Sequence, residues 1–154
     1  MKYIHYGSNK FDKDKFLRVK NCDHDWTKPQ EGGFWASPIG TKRGWKQWCE
    51  SEGFHIDKLN NSFKFDLAAD SKIFHIKSYD DLKKLPKFPN LICNIPITSL
   101  YYKIDFEKAS KEYDAIELHL SEDKNSNYEE SLYFKLYGWD CDSILIMNPD
   151  IIIC

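Results

Sequence analysis

The run GGFWASPIGTKRGWKQWC, residues 32–49, joins two glycines, two large aromatic residues, a small pair and a proline to a segment with tryptophans at helical spacing. Phe34 to Ala36 has the composition of a short strand entered through a tight turn. Ser37-Pro38 then reads as a helix entry, because a serine hydroxyl caps free N–H groups and a proline fits a first turn. Trp45, Trp48 and Cys49, at spacings of three and four, give one apolar face to a helix over roughly 41–51. Gly32, Gly33, Ala36 and Ser37 are too small to fill a core beside Phe34 and Trp35. Either a buried strand follows a turn here, or a flat ligand lies against those rings.

Upstream, Tyr3, Ile4 and Tyr6 make a β-rich run over residues 2–6 that Gly7-Ser8 stops, hence a first strand. FDKDKF at 11–16 accommodates one helical turn, and 17–31 is a polar loop carrying Trp26 and Pro29. Downstream, SFKFDLA at 62–68 alternates Phe63, Phe65 and Leu67 with polar residues, and KIFHI at 72–76 repeats the pattern. Period two marks half-buried strands, and the two are expected to form a bent or paired edge. Ser78 with Asp81 three residues on starts a helix of about two turns. Pro86, Pro89 and Pro96 keep the next stretch irregular, DFEKASKE at 105–112 is a helix, DAIELHL is a strand and SEDKNSNYEES is a solvated loop. Ser143 to Met147 reads as a buried strand, followed by a turn at Asn148-Pro149 and a last apolar piece. Six or seven short strands with two or three helices make an α+β fold, and 154 residues suit a single domain over 1–154.

Twenty-two Lys+Arg against 24 Asp+Glu give a formal charge of -2, so no overall basic field draws a nucleic acid or an anionic membrane. Residues 1–50 hold ten Lys+Arg and six Asp+Glu, a cationic third that suits a phosphate-bearing small ligand or is ordinary surface charge. No apolar run approaches the ~20 residues of a bilayer span, and MKYIHYGSNK lacks a signal-peptide core, so a cytoplasmic protein is expected. Cys22, Cys49, Cys93, Cys141 and Cys154 are odd in number and never in a C-x-x-C pair, against both a disulfide framework and a closed zinc site. Cys22 and His24 with Asp23 and Asp25 make half a metal site without a second half, so no metal is expected. His55, His75 and His119 carry no assignment. Cys141 sits between two aspartates, whose charge dulls a thiolate.

Three blocks, IHYGS at 4–8, the run 32–49, and GWDCDSILIMNP at 138–149, occur in an order that resembles the ADP-ribosyltransferase fold, in the branch of the poly-ADP-ribose polymerases and diphtheria toxin. In that branch a first strand ends in His-Gly-Ser/Thr. A second carries a Tyr-Phe-Ala-type motif followed by a helix with another aromatic, and a late strand opens with a catalytic acid. The resemblance covers about a quarter of the chain. It implies a split β-sheet core with two or three short helices, and NAD as substrate. The implied reaction cleaves the nicotinamide glycosidic bond and transfers ADP-ribose to an unknown acceptor, a protein among the candidates.

Carried over by position, Gly7-Ser8 is the Gly-Ser pair, Phe34-Trp35-Ala36 continuing into Ser37 is the second motif, Trp45 is the second stacking aromatic and Asp142 is the acid, with Asp140 the runner-up. Tyr6 stands where the branch has histidine, and His5 is one place early. A strand turns successive side chains to opposite faces, so His5 and Tyr6 cannot both reach one cleft without a bulge. An aspartate in place of glutamate favours a mono-ADP-ribosyltransferase over polymer synthesis.

Nicotinamide in NAD is a flat cation, which aromatic faces attract by about 0.5–2 kcal/mol each. Phe34 or Trp35 on one side and Trp45 on the other make the sandwich; Gly32 and Gly33 allow close backbone approach, and the Gly7 backbone pairs with the carboxamide. A carboxylate about 4 Å from an oxocarbenium-like ribose, at an effective dielectric near 20, stabilises it by about 4 kcal/mol, roughly a thousandfold in rate. Asp142 and Asp140 lie two apart, hence on one face if the strand begins that early, and a paired arrangement would raise one pKa. The alternatives are a module that binds NAD or ADP-ribose without turnover, and an interaction factor whose aromatic cleft docks another protein.

Overall fold

The strands, in chain order, are β1 (Tyr3–Tyr6), β2 (Phe34–Pro38), β3 (Ser62–Leu67), β4 (Ile73–Ile76), β5 (Leu91–Ile92), β6 (Ile95–Pro96), β7 (Ala115–Leu118), β8 (Ser143–Ile146) and β9 (Ile152–Ile153). The helices are α1 (Trp45–Glu52), α2 (Tyr79–Leu82), α3 (Phe106–Ala109) and α4 (Leu132–Lys135). These come from a computed structural model that describes residues 1–89, 91, 92, 95, 96 and 100–154. Seven strands form one mixed sheet in the order β4-β7-β8-β2-β1-β3-β9, and β5 and β6 form a separate ribbon. Within the sheet β4 and β7 run parallel and the other described pairs run antiparallel. A parallel pair needs a long crossover, and the segment carrying α2, the ribbon and α3 supplies it.

Register divides the sheet into two faces. Tyr3, His5, Phe34, Ala36, Phe63, Phe65, Ile144 and Ile146 share one; Ile4, Tyr6, Trp35, Ser37, Ser143 and Leu145 share the other. The second face carries the larger core, where Ile76, Ile116, Leu118 and Leu145 pack with Leu82, Phe106, Ala109, Leu132, Leu136 and Trp139 from the helical side. The first face packs Tyr3, Phe65, Ile144 and Ile146 around Ile151. Strands β7 and β8 are buried along their whole length. Burial on both faces is why SILI reads as an unbroken apolar run instead of an alternating one.

Several expectations are corrected. Ser37 and Pro38 belong to β2, and α1 begins at Trp45 with Gly44 as its N-cap. The capping role survives at long range: Trp45 N–H donates to Ser37 Oγ at 2.9 Å. Strands β3 and β4 do not form one edge, because β3 pairs with β1 and β9 while β4 pairs with β7 across the sheet. A turn at Ala68 to Ser71 separates them, and Lys72 N–H is held by the Asp114 carboxylate at 2.8 Å, which docks β4 beside β7. Helices α2 and α3 are single turns, α2 capped by Ser78 at Asp81 N–H, 3.3 Å. The ribbon of β5 and β6 occupies the stretch expected to be irregular around Pro96. Cys93 lies outside the described residues, and Cys22, Cys49, Cys141 and Cys154 are free thiols. Among the described residues no helix is long and apolar enough to cross a membrane.

Candidate functional site

A cavity of about 270 Å³ opens on the helical face of the sheet, where β1 and β2 meet α1 and the approach to β8. Ile4, Tyr6, Trp35, Ser37 and Ser143 line it, all on the face that register assigns, with Trp45, Trp139, Cys141, Lys28 and Gly138 closing the rest. His5 and Ala36 contribute to the wall from the neighbouring positions of the same strands.

The two indole rings rest on different neighbours. Trp35 meets Trp139 edge-on, ring centroids 5.0 Å apart at 81°. Trp139 is itself buried and anchored by its indole N–H to the Thr27 carbonyl at 3.0 Å. Trp45 stacks on Trp48 at 5.2 Å and 18°. The hydrogen bond from its backbone N–H to the buried Ser37 hydroxyl ties the start of α1 to β2. A single serine thus sets where the second indole stands relative to the first.

Tyr6, not His5, presents its ring on the cavity face. Burial, helped by nearby Glu50, holds the Tyr6 phenol above its ordinary pKa. The His5 ring lies on the opposite face, stacked on Phe34 with centroids 4.3 Å apart. Its Nδ1 is 2.7 Å from the Trp35 carbonyl. A carbonyl only accepts, so Nδ1 carries the proton and donates. Burial lowers the His5 pKa, which keeps the ring neutral in this role.

Other expected site residues stand elsewhere. Gly7 N–H donates to the Asn61 carbonyl at 2.8 Å, so it is not offered to a carboxamide. Ser8 and Phe34 line a second cavity, about 530 Å³, with Phe11, Gly32 and Gly33. Both glycines are required by the chain's own packing. A Cβ at Gly32 would stand 2.0 Å from the Arg18 carbonyl oxygen, and one at Gly33 would stand 2.4 Å from Leu145 Cδ1.

Asp142 also departs from its expected place. It is 4% exposed, and its carboxylate accepts from Thr41 Oγ1 at 2.7 Å, Ser121 Oγ at 2.7 Å and Ser121 N–H at 3.0 Å. Its own N–H donates to the Arg43 carbonyl at 2.8 Å. Asp142 therefore staples the loop before α1 to the turn after β7, and the cavity wall contains no carboxylate among the described residues. Asp140 is half-buried with a left-handed φ of 62°. Burial raises its pKa while Lys28, a wall residue, pulls it down. It follows Trp139 and precedes Cys141, which both line the cavity. Burial, with Asp140 and Asp142 beside it, pushes the Cys141 thiol up to about 12, so this wall residue is an inert thiol.

Lys28, Trp139, Cys141 and Ser143 were not expected in the site. Alternation is a signal for Ser143 only once the register is known: with Trp35 opposite Leu145, Ser143 shares the Trp35 face, while Cys141 and Asp142 precede β8. Lys28 comes from an aperiodic polar loop and offers no such signal. No protein-family model, curated protein or solved structure matches this chain.

Proposed function

We propose that this cavity binds the nicotinamide ring of NAD and that the chain is an NAD-binding module with an ADP-ribosyltransferase-like core. The observation that carries the proposal is that Trp35 and Trp45, on successive elements, line one cavity. A volume near 270 Å³ falls just under the ~300–1,000 Å³ of sites for drug-sized ligands. It suits one ring system with part of its ribose, the rest of the dinucleotide extending outside. Lys28 is the one cation of the described wall and is placed to meet a phosphate as a point charge. The Tyr6 hydroxyl, the Ser37 hydroxyl as a donor, since its oxygen already accepts from Trp45 N–H, and the Ser143 oxygen as an acceptor, since its proton goes to the Cys141 carbonyl at 3.1 Å, are the polar groups that can orient a carboxamide or a ribose.

Binding without turnover is the form favoured, because three donors already occupy Asp142. A second reading, transfer of a single ADP-ribose unit to an unknown acceptor, keeps the same cavity and moves the acid to Asp140. What favours it is the place of Asp140 between two wall residues and within the field of Lys28.

Calorimetry with NAD, ADP-ribose and nicotinamide tests the proposal. If each indole contributes about 0.5–2 kcal/mol, Trp35→Ala and Trp45→Ala each weaken NAD binding by about 2- to 30-fold. Absence of NAD binding, or unchanged affinity in both variants, overturns it. Incorporation of label from NAD into an acceptor, lost in Asp140→Ala, establishes the transfer reading.

A further inference from the structure

The geometry points to a second site, independent of the aromatic cavity: His75, Glu117 and His119 bind a divalent transition-metal ion of the zinc type. The topology creates the juxtaposition. β4 and β7 are parallel neighbours with His75 directly opposite Glu117, and Glu117 and His119 are two residues apart, hence on one side of the strand. His119 lies just past β7, but its N–H still donates to the Ile76 carbonyl at 2.9 Å, which extends the ladder far enough to fix it. All three occupy the sheet face opposite Trp35 and Tyr6.

Their donor atoms converge. His75 Nδ1 is 2.9 Å from His119 Nε2 and 3.6 Å from Glu117 Oε2, and His119 Nε2 is 4.0 Å from Glu117 Oε1. Ligands about 2.0–2.1 Å from a tetrahedral ion stand roughly 3.3 Å from one another. The first two separations lie within about 0.4 Å of that value and the third, to the other Glu117 oxygen, exceeds it by about 0.7 Å, so a rotation of the carboxylate or of the His119 ring completes the coordination.

Charge supplies the second argument. The Glu117 side chain is 6% exposed, and its one short hydrogen bond comes from the neutral Tyr3 hydroxyl to Oε2 at 2.9 Å. A carboxylate so removed from water needs either several hydrogen-bond donors, as Asp142 has, or a cationic partner, and one neutral hydroxyl leaves Glu117 suited to the second. The two imidazoles beside it are the ligands that borderline-soft ions prefer, and a set of two nitrogens and one oxygen discriminates against magnesium and calcium. Tyr3 donates to Oε2, the oxygen nearest His75, and so orients the carboxylate as outer-shell partners of metal ligands do. The His75 side chain is 45% exposed, which leaves a route for the ion and open positions for water or a substrate atom.

The test uses the full chain stripped with a chelator, titrated with zinc against a chromogenic competitor and with cobalt(II) followed by visible absorption. One ion per chain is expected, with cobalt bands. His75→Ala and His119→Ala each lower zinc affinity by at least the ~10–100-fold that outer-shell losses cause, and Tyr3→Phe lowers it within that range. Zinc raises the thermal midpoint of the parent and not of the double histidine variant. Glu117→Gln, of the same shape, repeats the comparison should an alanine variant fold poorly. Absence of bound ion, or equal stoichiometry and affinity in parent and variants, overturns the site.

Discussion

Replacing Asp142 by alanine separates a catalytic acid from a structural staple. The carboxylate receives two hydroxyls at 2.7 Å and one backbone N–H at 3.0 Å, and its residue is 4% exposed. Hydrogen bonds to a charged group contribute about 1.5–3 kcal/mol each, and a buried donor left without a partner costs about 1–3 kcal/mol. The three bonds share one carboxylate and are not additive. The expected loss is therefore about 3–5 kcal/mol, the scale of breaking a buried ionic contact. Against a total stability of about 5–15 kcal/mol, that is a large fraction. Asp142→Asn keeps one acceptor oxygen and loses less.

Urea unfolding of the three proteins measures these differences, and calorimetry with NAD is run at temperatures where each remains folded. If Asp142 only ties the loop before α1 to the turn after β7, both variants lose stability in the order Ala before Asn. Folded Asp142→Asn then retains NAD affinity within a few fold. A stability change under about 1 kcal/mol in Asp142→Ala, below the cost of one such bond, refutes the staple. So does a labelling activity present in the parent and abolished in well-folded Asp142→Asn.

Two further outcomes follow from the backbone and the thiols. Gly53, the C-cap of α1, has φ 64° with nothing within 4 Å of an added Cβ, whereas at Gly32, φ 85°, the added atom strikes the Arg18 carbonyl. Gly53→Ala should cost only the left-handed conformation, about 1–2 kcal/mol, and Gly32→Ala clearly more; equal thermal midpoints refute the packing role given to Gly32. The Cys141 thiol, raised from 9.0 to about 12 chiefly by burial, keeps its proton in the fold after the unfolded chain has lost it. Its contribution is thus complete below pH 9 and lost as the pH rises toward 12. The midpoint of the parent should fall more steeply over that interval than that of Cys141→Ala, and parallel slopes refute the shift.

Local pattern carried part of the fold. The alternation of Phe63 and Phe65 marks β3 because these residues face Tyr3 and His5 across a half-buried ladder. The apolar run at 143–146 marks β8 because that strand is covered on both faces. Periodicity names a face and not a neighbour, so nothing in KIFHI distinguishes pairing with β3 from pairing with β7. The same blindness hid His75, Glu117 and His119, whose proximity exists only once β4 lies parallel to β7. Ser37 misled in a different way. Its hydroxyl does cap a helix, but one that begins at Trp45, after a loop that positions Thr41 for Asp142. Tertiary contact overrode the local signal while keeping its chemistry. DFEKASKE was legible as a helix although only Phe106–Ala109 form it, whereas the single turn of α4, which buries Leu132, is too short to have a period to read.

The opposite fates of Trp35 and Asp142 have one cause, the register of β8 against β2. With Trp35 opposite Leu145, side chains at 143 and 145 share its face and those at 142 and 144 take the other. A slip of one residue would deliver Asp142 to the indoles and take Ser143 away. Hydrophobicity does not forbid that slip, since Ile144, Leu145 and Ile146 are all fully buried and an apolar strand reads alike from either side. Two polar or steric features forbid it instead. Asp142 would forfeit its three donors, and Leu145 would leave the space that Gly33 keeps for it, where any Cβ would lie 2.4 Å from its Cδ1. The glycine that looked like a ligand's clearance is the gauge that sets the strand, and by setting the strand it decides which residues the cavity presents.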